Sequence, residues 1–407
     1  MKLGLKPAAW KAVAIGGLCS VAYLAVYVAK NILSAATPQI TAAGAFTVER
    51  IGALSSTYYI CYAIGQLING SIGDKIKAKY MISFGLLLAS MVFWLLPQLG
   101  GMDLAATIAY GASGFFMAMI YGPMTKVVAE NTEPIYATRC SMGYTLASFL
   151  GSPAAGILAA SMAWEWAFRA SGGIMVLMAT ICLIVFTVME RKGLVRYGQY
   201  KPKEKGVGNI KLLIRRQILR FSLIAVLTGI VRTAVLFWLP TYISQYLRFD
   251  PSTAALVYTV GTLCVSSSTF LAIFLYEKPM KQNMDATILL SFAASAASFA
   301  GAYLVPVELP YINIVFMVLA ILSANCASNM IWSRYCPSLF DTGMVSGATG
   351  FLDCCSYLAA SAATALFANA VSDIGWGNLI LIWIGLMVLG VAVSIPFKRK
   401  TQRSNTN

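Results

Sequence analysis

The sequence predicts an all-α integral membrane protein of twelve transmembrane helices in two six-helix pseudo-symmetric halves. Three observations predict it. Hydrophobic residues fill 59% of the 407 positions and charged residues only 11%, more apolar mass than a soluble domain hides from water. Apolar runs of about 20 residues, the length that crosses a bilayer, recur at 10–40, 50–71, 78–97, 103–127, 137–161, 165–189, 217–246, 252–276, 284–304, 309–333, 342–369 and 375–397. One plan also occurs twice: a single cation inside an apolar run, Lys30 and then Arg232, each followed eight residues later by a proline, Pro38 and Pro240.

The first six runs make an N-terminal half, 1–189. Residues 190–216, with nine Lys or Arg, are the one long polar stretch inside the chain and read as a cytoplasmic basic linker. The C-terminal half is 217–397, and 398–407 a cytoplasmic tail. In both halves the cation-bearing helix leads through a short loop to a capped entry into the next, at Thr47 and at Asp250-Pro251, where the proline suits a first helical turn.

Charge sets the orientation. Of 30 Lys and Arg, 25 fall at the N-terminus, in the loops after even-numbered runs, or at the C-terminus; only Arg50, Arg169 and Arg248 lie on the other side. The positive-inside rule therefore places both termini in the cytoplasm, in a multi-pass protein of the cytoplasmic membrane. This segregation makes the bilayer, rather than nucleic acid, the partner that explains the net charge of +15. The first run is longer than the core of a cleavable signal peptide. Nine cysteines in a chain without histidine read as small hydrophobes, not as metal ligands.

Polar residues inside the runs fall on helical stripes. The first run carries Ser20, Tyr23, Tyr27, Lys30 and Ser34; the second Ser55, Tyr59, Tyr62, Gln66 and Asn69. Shorter stripes occur in the fifth run (Ser141, Tyr144 or Thr145, Ser148 and Ser152), the eighth (Tyr258, Thr262, Ser266 and Thr269), the tenth (Asn325, Asn329, Trp332) and the eleventh (Thr349, Asp353, and Ser356 or Tyr357). Runs three, six, nine and twelve are almost purely apolar, so four helices are expected as outer scaffold and eight around a central cavity. Most Ser and Thr on such stripes serve as hydrogen-bonding glue between helices. The cations are different, because a charge at mid-membrane costs at least about 2.5–3.5 kcal/mol and normally faces a polar pathway.

Asp353 is the one acid inside any run. It neutralises at most one of the two cations, which leaves an empty cavity positive by one charge and favours an anionic substrate. Three roles stay open for it: partner to a cation, proton-binding carboxylate, or contact for a substrate donor. Tyr23, Tyr27 and Tyr62 offer hydroxyls to phosphate or carboxylate oxygens, or are simple core tyrosines. In the loop after run two, NGSIGDKIKAK (69–79) supplies Gly70, Asp74 and Lys75 as a candidate cytoplasmic gate.

The segments YVAKNILSAATP (27–38), IGALSSTYYICYAIGQLINGSIGDK (51–75), VRTAVLFWLPTYI (231–243) and SGATGFLDCCSYLAAS (346–361) resemble the organophosphate:phosphate antiporter family of the major facilitator superfamily, which includes bacterial glycerol-3-phosphate and hexose-phosphate transporters. That fold has two parallel six-helix repeats with a midplane site between them. The resemblance places Arg232 on the family's second-half phosphate-binding arginine, Lys30 on its first-half partner arginine, and Tyr23, Tyr27 and Tyr62 on cavity tyrosines. Departures matter as much: the family continues with lysines where this chain has Asn31 and Gln66, the cavity histidine of some relatives is missing, and Asp353 takes a small neutral position. Lysine is a point charge without arginine's two-pronged fork, and the cavity is poorer in positive charge than the family plan.

The resulting expectation is a monomeric carrier of a small organic anion working by alternating access, without cofactor or metal. The expected substrate-binding residues are Lys30, Arg232, Tyr23, Tyr27, Tyr62, Gln66, Asn31, Tyr144, Asn325 and Asn329, with Asp353 as a coupling or charge-balancing group. The leading substrate class is a sugar phosphate or other organophosphate exchanged for phosphate. The alternatives are a proton-coupled symporter of a carboxylate such as a sugar acid, and a membrane sensor that binds without carrying. No nucleotide loop or metal cluster points to an enzyme.

Overall fold

The structure, a computed structural model, describes residues 7–73, 76–198, 210–339 and 345–395. Twelve long helices follow one another: α1 Pro7–Ala42, α2 Val48–Gly73, α3 Ala78–Leu95, α4 Asp103–Asn131, α5 Pro134–Ser161 and α6 Trp164–Arg191, then α7 Ile218–Gln245, α8 Pro251–Glu277, α9 Met284–Leu304 and α10 Pro310–Ser338. The run Val345–Ser394 breaks at Gly375, whose φ of 77° is left-handed backbone that glycine adopts without a Cβ penalty. It divides the run into α11 (345–374) and α12 (376–394).

Nine helices among the described residues are long and apolar enough to cross a membrane, the last of them, Ala348–Ser394, holding both α11 and α12. The two that fall short, α2 and α5, are the ones rich in Ser, Thr and Tyr. Both expected entry caps form: Thr47 Oγ1 accepts from Arg50 N at 3.4 Å, and Asp250 accepts from Thr253 N at 2.9 Å. Hydrogen bonds from Ser252 and Thr253 hold the Asp250 carboxyl below the usual carboxylate range.

Packing repeats with a period of six helices. In the first half α1 lies on α5, α2 on α4, and α3 on α4 and α6; in the second α7 lies on α11, α8 on α10, and α9 on α10 and α12. Across the halves α2 meets α11, α5 meets α8, and α1 meets α7, pairings that a two-fold axis between the halves interchanges. The start of α1, the end of α6, the start of α7 and the end of α12 share one face of the bundle, the termini face. The linker ends in a short helix, Ile210–Arg215, before α7 begins.

Each half is tied at the termini face by a buried cation. Lys79 at the start of α3 meets Glu190 at the end of α6 at 2.6 Å. Arg220 at the start of α7 donates to Val393 O at 2.8 Å and to Ser394 O at the end of α12, and pairs with Asp285 of α9 at 3.0 Å. Charge-assisted bonds of this kind are worth about 1.5–3 kcal/mol each. Arg220→Ala is therefore expected to lower the thermal unfolding temperature of purified protein more than Arg191→Ala, whose guanidinium is exposed.

Candidate functional site

A cavity of about 170 Å³ lies between the halves, midway along the helices. α1 contributes Tyr27, Lys30 and Asn31, α2 Tyr59, and α5 Ser148, Phe149 and Ser152. From the other half come Arg232, Thr233, Leu236 and Phe237 of α7, Thr262, Val265, Ser266 and Ser268 of α8, Asn325, Ser328, Asn329 and Trp332 of α10, and Tyr357 of α11. None of α3, α6, α9 or α12 reaches it, as the apolar runs implied. The expected eighth wall helix, α4, is also absent; it reaches the site at second hand, through Tyr121 against Tyr23 with ring centroids 5.4 Å apart.

The two cations are held in unlike ways. Lys30 Nζ donates to Tyr357 OH at 3.1 Å and lies 4.6, 4.9, 5.4 and 5.6 Å from the ring centroids of Tyr357, Tyr62, Tyr27 and Tyr59. Each desolvated cation–π contact is worth up to about 2 kcal/mol, so the cage offsets part of the burial cost of the ammonium. Arg232 stands on a π-helical turn, Ile230–Val235, eight residues before Pro240. Its Nε and Nη2 are buried and have no acceptor, although Tyr357 lies close, with 5.8 Å between guanidinium carbon and ring centroid. A second π turn, Ile331–Tyr335, carries Trp332 on α10. Wide turns of this kind are rare and gather at functional sites.

The remaining expected residues divide. Asn31, Asn325 and Asn329 are on the wall. Asn31 donates to Tyr27 O at 2.7 Å, Asn329 is engaged by Thr269 and Ser268, both at 3.3 Å, and the Asn325 amide has no hydrogen bond among the described residues. Tyr62 belongs to the Lys30 cage rather than the open wall. Tyr23 and Tyr144 lie off the wall, in an aromatic group with Tyr27 in which Tyr23 is 4.9 Å from Tyr27 and 6.3 Å from Tyr144. Gln66 is one turn past Tyr62, off the wall. Asp353 is partly buried one turn before Tyr357, off the wall, and forms no ion pair among the described residues. Of the candidate gate, Gly70 lies in the last two turns of α2, while Asp74 and Lys75 lie outside the described residues.

Sequence reasoning put Tyr59 and Tyr357 on stripes yet left both out of the site. Their signals were the steps of three to Tyr62 and of four from Asp353. Phe149, Leu236, Phe237 and Val265 carry no signal, since an apolar side chain in an apolar helix has no marked face.

Hydrogen bonds join the halves on the side of the cavity away from the termini face. From the cavity toward the face opposite the termini, Ser34 donates to Phe237 O at 2.6 Å, Ser56 and Ser361 share a bond of 2.9 Å, Thr259 donates to Pro153 O at 3.4 Å, and Ser372 bonds Glu49. Ser266 to Phe149 O at 3.1 Å closes the set at cavity level. These bonds between the halves close the site on that side.

Known proteins share this chain's pattern throughout. A family model described as Major Facilitator Superfamily matches residues 19–364. The phosphoglycerate transporter protein of Salmonella typhimurium is 24% identical over 90% of this chain and 84% of its own length. The membrane sensor protein UhpC of Escherichia coli is 22% identical over 92% of this chain and 89% of its own. The crystal structure of a D-xylose-proton symporter superposes with a TM-score of 0.70 at 13% identity, covering 94% of this chain and 96% of that one; at that identity the likeness speaks for the fold.

Proposed function

Because the chain belongs to the Major Facilitator Superfamily, and its relatives here are a transporter and a membrane sensor rather than enzymes, we propose that this multi-pass membrane transporter carries a small phosphorylated organic anion in exchange for phosphate. The observation that carries the reading is Arg232: two buried guanidinium nitrogens without an acceptor, on the wall of a cavity that holds a second cation. Buried donors left unpaired cost about 1–3 kcal/mol each, and an oxyanion with two oxygens is the ligand that removes the deficit in one step. The similarity to a phosphoglycerate transporter supports the same class. The cavity is below the about 300–1,000 Å³ of sites for drug-sized ligands, which suits a solute of a few carbons.

Transport follows from the bonds between the halves. With the termini in the cytoplasm of the inner membrane, Ser34 to Phe237 O and Ser56 to Ser361 form the outer closure of the site. An anion between Lys30 and Arg232 screens their repulsion and favours approach of the two halves on the termini side; opening the other side then breaks Ser34 to Phe237 and Ser56 to Ser361. The anion shifts the equilibrium only by its preference for the closed arrangement. Tyr357 positions Lys30, so Tyr357→Phe is expected to weaken phosphate affinity about threefold to tenfold while exchange at saturation persists, read from the concentration dependence of labelled phosphate exchange in proteoliposomes.

A second reading rests on the 22% identity with a membrane sensor over 92% of this chain. Such a protein binds anion without flux. Exchange of labelled phosphate into phosphate-loaded proteoliposomes by wild-type protein supports the antiporter; phosphate binding without exchange supports the sensor; neither binding nor exchange sinks both and directs the search to carboxylates under an imposed proton gradient.

A further inference from the structure

A second cavity, of about 290 Å³, opens at the termini end of α1 and α5. Its floor is small: Ala12, Gly16 and Gly17 of α1 face Cys140 and Gly143 of α5. Its sides are not part of the central site. On α1 the outward stripe Trp10, Val13 and Val21 is 50%, 55% and 52% exposed, with Gly17 between the last two. On α5 Leu146 and Leu150, 57% and 41% exposed, share a stripe with Arg139 and Gly143 by steps of three and four. Ser148 and Ser152 point from the opposite side of α5 into the central cavity. In a membrane-spanning bundle, stripes of exposed apolar side chains are the hydrocarbon-facing ones, so this groove opens laterally to lipid.

Its mouth carries a cation. Arg139 is exposed near the start of α5, where the helix leaves the hydrocarbon, and its guanidinium lies 5.6 Å from the Tyr136 ring. It forms no ion pair among the described residues. A Cβ built on Gly17 meets nothing within 4 Å, so the groove is open along α1 where an acyl chain would lie. We propose that the α1–α5 groove is a binding site for one phospholipid of net negative headgroup, its phosphate on Arg139 and one acyl chain along Val13 and Gly17. The chemistry is that of basic pockets between membrane helices, which hold anionic headgroups at the level of the interface.

The test uses full-length protein purified in detergent and titrated with phosphatidylglycerol or phosphatidylcholine, with retained lipids counted by native mass spectrometry. Wild type is expected to keep one phosphatidylglycerol under activation that strips the others. Arg139→Gln removes the charge, and Gly17→Trp brings a ring into the groove from a position whose Cβ meets nothing within 4 Å; each is expected to cut that retained fraction at least about tenfold, while circular dichroism confirms the fold. Equal retention of phosphatidylcholine, or full retention by either variant, overturns the proposal. Loss in Gly17→Trp alone means an apolar slot indifferent to headgroup, and loss in Arg139→Gln alone a surface charge without the groove.

Discussion

Arg232→Ala is expected to abolish phosphate exchange, by at least about a hundredfold, while Lys30→Ala leaves a measurable remainder. The two cations look equivalent in the sequence, each eight residues before its proline, but their surroundings differ. Lys30 has an oxygen acceptor and four rings about it, so part of its charge is already accommodated without ligand. Arg232 has two buried nitrogens with nothing to bond, so its need for an anion is the larger. A two-point charge-assisted contact, at about 1.5–3 kcal/mol per bond, corresponds to a hundredfold or more in affinity. Arg232→Lys is expected to recover little, because an ammonium lacks the planar fork. The measurement is labelled phosphate exchange in proteoliposomes at matched reconstitution. Full exchange by Arg232→Ala, or equal loss from both alanine variants, would refute the unequal division of labour.

That inequality was not legible in the sequence, and the reason is physical. A lone charge in an apolar run is rare enough to mark itself, which is why Lys30 and Arg232 stood out and why both prove to line one cavity. Tyrosine in an apolar helix is ambiguous, because its ring packs against lipid, core or cavity alike. Tyr357 could not be assigned to Lys30 across 327 positions of sequence, although the stripe Asp353 to Tyr357 put it on the right helix. The π turns under Arg232 and Trp332 have no residue signature, since they arise from a shift of hydrogen-bond register. Scaffold helices were readable from their lack of polar residues. The absence of α4 from the wall was not, because polar residues on α4, Tyr110 among them, pack against α2 and α3 neighbours such as Tyr58 and Phe93.

Asp353→Asn is expected to change which ionic form of phosphate is carried. Asp353 makes no ion pair among the described residues, yet it lies within electrostatic reach of both Arg232 and Lys30. When the halves close over the site, these three charges and the substrate's must nearly cancel, since residual charge in a low-dielectric interior is costly. With Asp353 ionised the protein supplies one net positive charge, which a monoanion matches and a dianion exceeds unless a proton enters with it. Inorganic phosphate passes from mainly monoanion to mainly dianion between about pH 5.5 and 8, somewhat above the range of its esters, so wild-type exchange at fixed total phosphate should fall across that span. Asparagine leaves two positive charges and removes the repulsion on a dianion. At an effective dielectric of about 20 a unit charge is worth about 4 kcal/mol at about 4 Å and half that at twice the distance, and about 2 kcal/mol is roughly thirtyfold. The ratio of exchange at pH 5.5 to that at pH 8 is therefore expected to drop at least about tenfold in Asp353→Asn, through gain at high pH rather than loss at low pH. An unchanged ratio would remove Asp353 from the charge balance. Loss at every pH would instead mark the carboxylate as an obligatory proton carrier, the signature of symport.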